Sequence, residues 1–114
     1  MALDVNQLIS DIKGTASQIL TKDVTNIRGF SNRQLAGIAN QAALVASGIA
    51  SGDITPATQD FFLDQLIELA HNFVNTLVGL VIATIEALWN AVVSVIWKAI
   101  SSATGITLPA FKPL

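Results

Sequence analysis

The stretch from Phe73 to Trp97 constrains this chain more than any other part of the sequence. It reads FVNTLVGLVIATIEALWNAVVSVIW, and Glu86 is its only charged residue. About 20 such residues in a helix cross the hydrocarbon core of a bilayer. The segment must therefore be buried, either by lipid or by other protein.

The overall composition points in the same direction. The 114 residues are enough for one domain with a modest core. Half of them, 52%, are hydrophobic and only 12% are charged, against roughly 25% in an average soluble domain. The mean hydropathy is +0.59. A soluble monomer of this size needs a polar shell, so we expect burial by lipid or by copies of the same chain.

Several classes of function are disfavoured by the same sequence. The net charge is −2 and the six Lys and Arg are scattered, so no basic stripe predicts nucleic-acid binding. No cysteine is available for disulfides or thiolate metal sites. The sequence shows no nucleophile elbow, P-loop or dinucleotide glycine pattern, and no cleavable signal peptide is expected. We therefore predict a non-enzymatic protein without cofactor or small-molecule substrate.

The helical patterns predict an all-α fold in one domain. Asp4 followed by Gln7 predicts a helix over 4–20, and Ser31 followed by Gln34 predicts a second over 31–51. The apolar residues of both helices recur at three- and four-residue spacing. A short helical turn is expected between them, around Val24 and Ile27.

A third helix is predicted over 56–102, with Thr55 as its cap and Pro56 in its first turn. Gly79 is the only candidate for a kink. The first two helices should form a hairpin against the polar first half of this helix, while the apolar second half extends beyond it. Residues 106–114, which include two prolines, are expected to be extended.

Two rows of residues recur every four positions in the apolar half of the predicted third helix. One row is small and comprises Gly79, Ala83, Ala87 and Ala91; the other is polar and comprises Glu86, Asn90, Ser94 and Lys98. Small residues let helices approach closely, and polar groups can bond across the interface. The rows predict a helix-packing face for self-association, whereas the opposite, bulky side suits lipid or a core. The alternative is that Ala is present only as a good helix former.

Three further features of the sequence lead to specific expectations. Glu86, in a membrane, could line a pore or accept protons, and the preferred interpretation is a neutral or hydrogen-bonded carboxyl that sets helix register. Trp97 beside Lys98 is typical of an anchor at the bilayer interface. Glu68 and His71 form a Glu-x-x-His motif, which builds di-iron sites only when further ligands are supplied. One His in the chain disfavours a metal site.

These observations favour a self-associating membrane protein, such as a pore, a channel or an embedded structural subunit, with 73–97 inserted in the bilayer. Its expected partners are copies of itself and lipid. The alternative is a soluble subunit of a filament, tube or shell, located within a large assembly. In that case the apolar helix would be buried between copies, or the chain would fold back at Gly79 into a four-helix bundle.

Overall fold

The computed structural model describes residues 3–113, and this range is all-α, without strands. Four helices follow one another: α1 (Val5–Leu20), α2 (Asn32–Ser51), α3 (Gln59–Asn75) and α4 (Ile82–Thr104). A 3₁₀ turn, Val24–Asn26, lies between α1 and α2. The all-α prediction is confirmed, and the first two helices have the predicted bounds to within one residue.

The predicted caps explain where α1 and α2 begin. The carboxylate of Asp4 accepts a hydrogen bond of 3.0 Å from the backbone N–H of Gln7. The hydroxyl of Ser31 accepts one of 3.2 Å from the N–H of Gln34. Each bond satisfies an amide that has no partner within its helix. The Gln34 side chain lies beside the Thr76 hydroxyl, with Oε1 3.1 Å from Oγ1.

The prediction of a third helix over 56–102 is wrong in its bounds, because the chain forms two helices that are separated at Gly79, the candidate kink. Residues 76–81 form a turn that separates α3 from α4, and Gly79 in it has φ +86°, a conformation that costs little only for glycine. Thr55 and Pro56 precede the helix, which begins at Gln59 after a turn closed by a bond from the Thr58 N–H to the Thr55 carbonyl. The segment 73–97 therefore belongs to two helices.

The turn at 76–81 brings α4 back against α1, α2 and α3. The prediction that the apolar half extends beyond the hairpin is thus also wrong, and the chain adopts the fold-back at Gly79 that was the alternative. Bulky residues of α4 enter the common core: Leu88, Val92, Val93, Ile96, Trp97 and Ile100. They meet buried residues of the other helices, among them Leu8, Ile12, Leu35, Ile38, Leu66 and Phe73. Burial of this side explains the fold-back.

One end of the bundle joins two connections that are distant in sequence. The N–H of Val78 donates a 2.8 Å hydrogen bond to the carbonyl of Arg28, and the Thr76 hydroxyl donates to the Gln34 side chain at 3.1 Å. The Phe30 ring meets Phe73 edge-on, with centroids 6.0 Å apart. We call this end, made of residues 21–31 and 76–81, the turn end. It fixes an up-down-up-down order of the helices, so the α2–α3 connection lies at the opposite end.

Residues 106–113 form a tail without helix or strand, where an extended tail over 106–114 was predicted; Leu114 lies outside the described residues. The tail returns along α4, where Leu108 is buried and the Phe111 ring meets the Trp97 ring edge-on, with centroids 5.6 Å apart. It therefore adds to the core of the bundle.

Candidate functional surfaces

The small row lies on the outside of the bundle. Gly79 belongs to the turn before α4, Ala83 and Ala87 are exposed, and Ala91 is half-buried. The bulky side of α4 occupies the core, so the small row is the side of this helix that other molecules can reach. The geometry thus leaves the predicted packing face without a partner among the described helices.

The polar row follows a slanted line across α4. Ser94 and Lys98 are exposed, whereas Glu86 and Asn90 are half-buried. Positions four residues apart advance by 40° around a helix, because 3.6 residues make one turn. The row therefore begins near the flank of the core at Glu86 and ends on the open side at Lys98. Only its second half shares the outward side with Ala87.

Trp97 lies within the fold. It is 9% exposed, and its Nε1 donates a 2.9 Å hydrogen bond to the carbonyl of Pro109. The predicted anchor at a bilayer interface requires an exposed indole, and the structure instead uses Trp97 to hold the tail. The adjacent Lys98 is exposed. Sequence reasoning missed the tail contact because its partner is a backbone carbonyl, which no side-chain pattern signals.

Glu68 and His71 are not assembled into a metal centre. Among residues 3–113, no group of three or more His, Cys, Asp or Glu is placed to hold an ion. Glu68 is exposed, while the half-buried His71 ring lies against the Trp89 ring with centroids 4.8 Å apart. Burial lowers the pKa of His71 below its usual value. The contact joins α3 to α4 and gives His71 a packing role.

The turn end carries a second candidate surface that sequence reasoning did not identify. Val78, Val81 and Ile82 are 53%, 68% and 74% exposed. The sequence does show apolar residues on both sides of Gly79. In a continuous helix, however, these residues would point in different directions around the helix axis and form no surface together. The turn gathers them at one end of the bundle.

An open groove runs between α1 and the second half of α4. Its lining includes Asp4, Asp11, Val95 and Lys98. These three charged side chains are exposed, so the groove is solvated and has no desolvated polar group that would select a ligand. It supports no specific chemistry.

The features described so far define the class as an all-α four-helix bundle with a packed tail. Comparison with models of known families gave no match, and no curated protein and no solved structure matches the chain significantly. Its function is therefore inferred from the surfaces of this chain alone.

Proposed function

We propose that this chain is a non-enzymatic, self-associating subunit whose copies meet through the outward side of α4. The observation that carries the proposal is the exposure of Ala83 and Ala87 on a helix whose bulky side is already in the core. Short side chains at these positions allow a second helix to approach the α4 backbone closely. Ser94 and Lys98 lie on the same side and supply polar contacts at its margin.

The composition supports the same proposal. Only 12% of the residues are charged, which is about half the usual share. Large apolar residues remain exposed outside the turn end as well, including Leu44 at 67% and Phe61 at 63%. A larger assembly would remove part of this surface from water and gain free energy in proportion to the apolar area buried. A filament, tube or shell is the kind of assembly that fits.

Measurement of size in solution tests the packing face. In the variant Ala87→Leu, the added side chain keeps the helices apart, so the assembly should dissociate into smaller species at equal concentration. Ala50→Leu is a matched control, because Ala50 is an exposed alanine on α2. Sedimentation velocity should show the loss for Ala87→Leu only. Equal sizes for both variants and the unmodified protein would refute this face.

A membrane-embedded subunit is the second candidate function. By length and composition, α4 is apolar enough to span a bilayer, and only 28% of its most apolar 18-residue window is buried. The core helix of a soluble protein can have the same length and composition, but it is mostly buried. Insertion would require α4 to leave the core, since Leu88, Val92 and Ile96 contact the other helices. A requirement for detergent during purification would favour this candidate.

A further inference from the structure

Two exposed apolar residues of the turn end and the first residue of α4 lie within five positions of one another. Val78, Val81 and Ile82 are more than half exposed, and Leu80 between them is half-buried. They lie at the tip of a bundle whose extents are 42 × 26 × 19 Å. Single exposed apolar residues are common on soluble proteins, whereas a group of them at one site usually marks an interaction.

Val81 is also an unfavourable residue for its position at the start of α4. It is the N-cap of α4, and the 23-residue helix has no side-chain cap there. Asp4 and Ser31 cap α1 and α2 with hydrogen bonds. Thr58 of α3 makes no cap bond either, but threonine can form one, whereas valine is among the poorest N-caps. Valine at this exposed N-cap position makes the start of α4 less stable. Its presence there indicates that Val81 has a role other than stability.

Cations are frequent at the end of the bundle that bears this apolar tip. Four of the six Lys and Arg lie between residues 13 and 33, and three of them, Lys22, Arg28 and Arg33, are exposed at or beside the turn end. The bond from the Val78 N–H to the Arg28 carbonyl places Arg28 directly beside the tip.

The acidic residues are arranged differently. Asp23 is the acidic residue of the turn end, and its carboxylate accepts bonds from the Thr25 N–H and hydroxyl. Glu86 lies half-buried in the first turns of α4. Exposed carboxylates accumulate toward the opposite end, where α1 begins and α2 meets α3: Asp4, Asp53 and Asp60. Three of the five exposed Lys and Arg thus lie at or beside the end that bears the apolar tip, whereas Lys98 and Lys112 lie in α4 and the tail.

We propose that the turn end docks on the surface of an anionic lipid bilayer. Val78, Val81 and Ile82 enter the boundary between headgroups and acyl chains, while Arg28, Arg33 and Lys22 meet the anionic headgroups. Stable peripheral binding commonly needs two such signals, one apolar and one basic. The bundle remains closed in this mode, so α4 does not cross the membrane, and the docking surface is separate from the Ala87 face.

A second copy of the chain fits this end less well. Pairing of two turn ends about a two-fold axis would bring the same cations together. Contact of the turn end with the acidic end of another copy would match the charges, but an end face of about 26 × 19 Å is smaller than the roughly 800 Å² per partner that a standard interface buries. A bilayer requires only insertion of the tip.

Flotation of the purified full chain with lipid vesicles tests the proposal. The protein should float with vesicles of phosphatidylcholine containing phosphatidylserine and remain mostly unbound with phosphatidylcholine alone. Binding to the anionic vesicles should fall as salt is raised, because headgroup and side-chain charges are screened.

Two pairs of variants test the residues. Val81→Ser should weaken vesicle binding about tenfold while raising the thermal midpoint by about 3 °C, because serine supplies the missing cap. Leu44→Ser, which removes an equally exposed apolar side chain from α2, should bind as the unmodified protein does. Arg28→Gln should weaken binding about fivefold, whereas Lys112→Gln in the tail should not.

Several results would overturn the proposal. One is absence of flotation with anionic vesicles, and another is equal binding by Val81→Ser and the unmodified protein. A third is loss of self-association by Val81→Ser without lipid, which would assign the turn end to a protein partner. The proposed function is tested separately, since Ala87→Leu should change the size of the assembly without vesicles present.

Discussion

The indole Nε1 of Trp97 donates a hydrogen bond of 2.9 Å to the carbonyl oxygen of Pro109. Trp97 lies in the second half of α4 and Pro109 in the tail, so the bond closes the last part of the chain onto the helix. Phe111 lies against the same indole. The two tryptophans of the chain differ in this respect, because Trp89 Nε1 is buried without a hydrogen-bond partner in the part of the chain that is described.

Because Trp97 donates a hydrogen bond and Trp89 does not, replacement of each tryptophan by phenylalanine should change the stability to a different extent. Trp97→Phe should loosen the tail and lower the free energy of unfolding by about 0.5–1.5 kcal/mol for the lost bond, in addition to its packing cost. Trp89→Phe removes a buried donor that has no partner and should cost less. Urea unfolding measures the stability, and limited proteolysis reports the tail. An equal loss of stability with an intact tail would contradict the assignment.

The orientation of α4 predicts which of its apolar residues stabilise the bundle. Leu88 is 0% exposed and Ile82 is 74% exposed. Leu88→Ala should lower the free energy of unfolding by about 2–5 kcal/mol, since it leaves a cavity in the core. Ile82→Ala should change it by less than about 0.5 kcal/mol. Chemical denaturation of both variants in detergent-free buffer checks this, and a reversed order would mean that α4 faces the other way.

Two glycines with positive φ predict a graded response to alanine. At Gly79 (φ +86°), a Cβ would meet no atom within 4 Å, so Gly79→Ala should cost only about 1–2 kcal/mol for the left-handed backbone. At Gly29 (φ +92°), a Cβ would lie 1.8 Å from the carbonyl oxygen of Thr76. Gly29→Ala should cost clearly more and separate the two connections of the turn end. Thermal unfolding compares them, and equal costs would show that this close approach is absent in solution.

The lowered pKa of His71 predicts a loss of stability in mild acid. Burial disfavours the imidazolium in the folded state, so the folded pKa lies below the usual 6.5. Above about pH 7.5 both states are neutral and stability is full. As the pH falls through 6.5, the unfolded chain binds the proton first and the free energy of unfolding decreases, until the folded pKa is passed.

His71 is the only histidine of the chain, so the assignment has a direct control. His71→Gln should remove the slope of stability against pH between about pH 7.5 and 5. The lowered pKa of Asp23, caused mainly by the hydrogen bonds from the Thr25 side chain and backbone, acts only near and below 3.8. An unchanged slope in His71→Gln would contradict the role of the His71 ring.

The sequence alone predicted the helices whose start signals lie within a few residues of one another. Asp4 and Ser31 mark the beginnings of α1 and α2 because their side chains bond to amides three residues on. The spacing of apolar residues likewise identified the bulky side of α4, which is the side that enters the core.

The features that the sequence left open or did not signal depend on contacts between distant residues. Gly79 has no proline or polar turn residue beside it, so its turn is fixed by the packing of α4 on three other helices and by the bond from Val78 to Arg28. Once that turn forms, Val81 and Ile82 become an exposed tip rather than part of a continuous helix. The Trp97 contact with Pro109 depends in turn on the path of the tail.

The detergent requirement and the mass of the protein test the account most directly. After release from membranes by high salt, which removes peripheral binding, the chain should remain soluble without detergent and sediment as a species of several copies. Ala87→Leu should reduce that species to a monomer. A chain that leaves membranes only with detergent, or one that sediments as a monomer at all concentrations, would contradict a closed bundle that assembles through the outward side of α4.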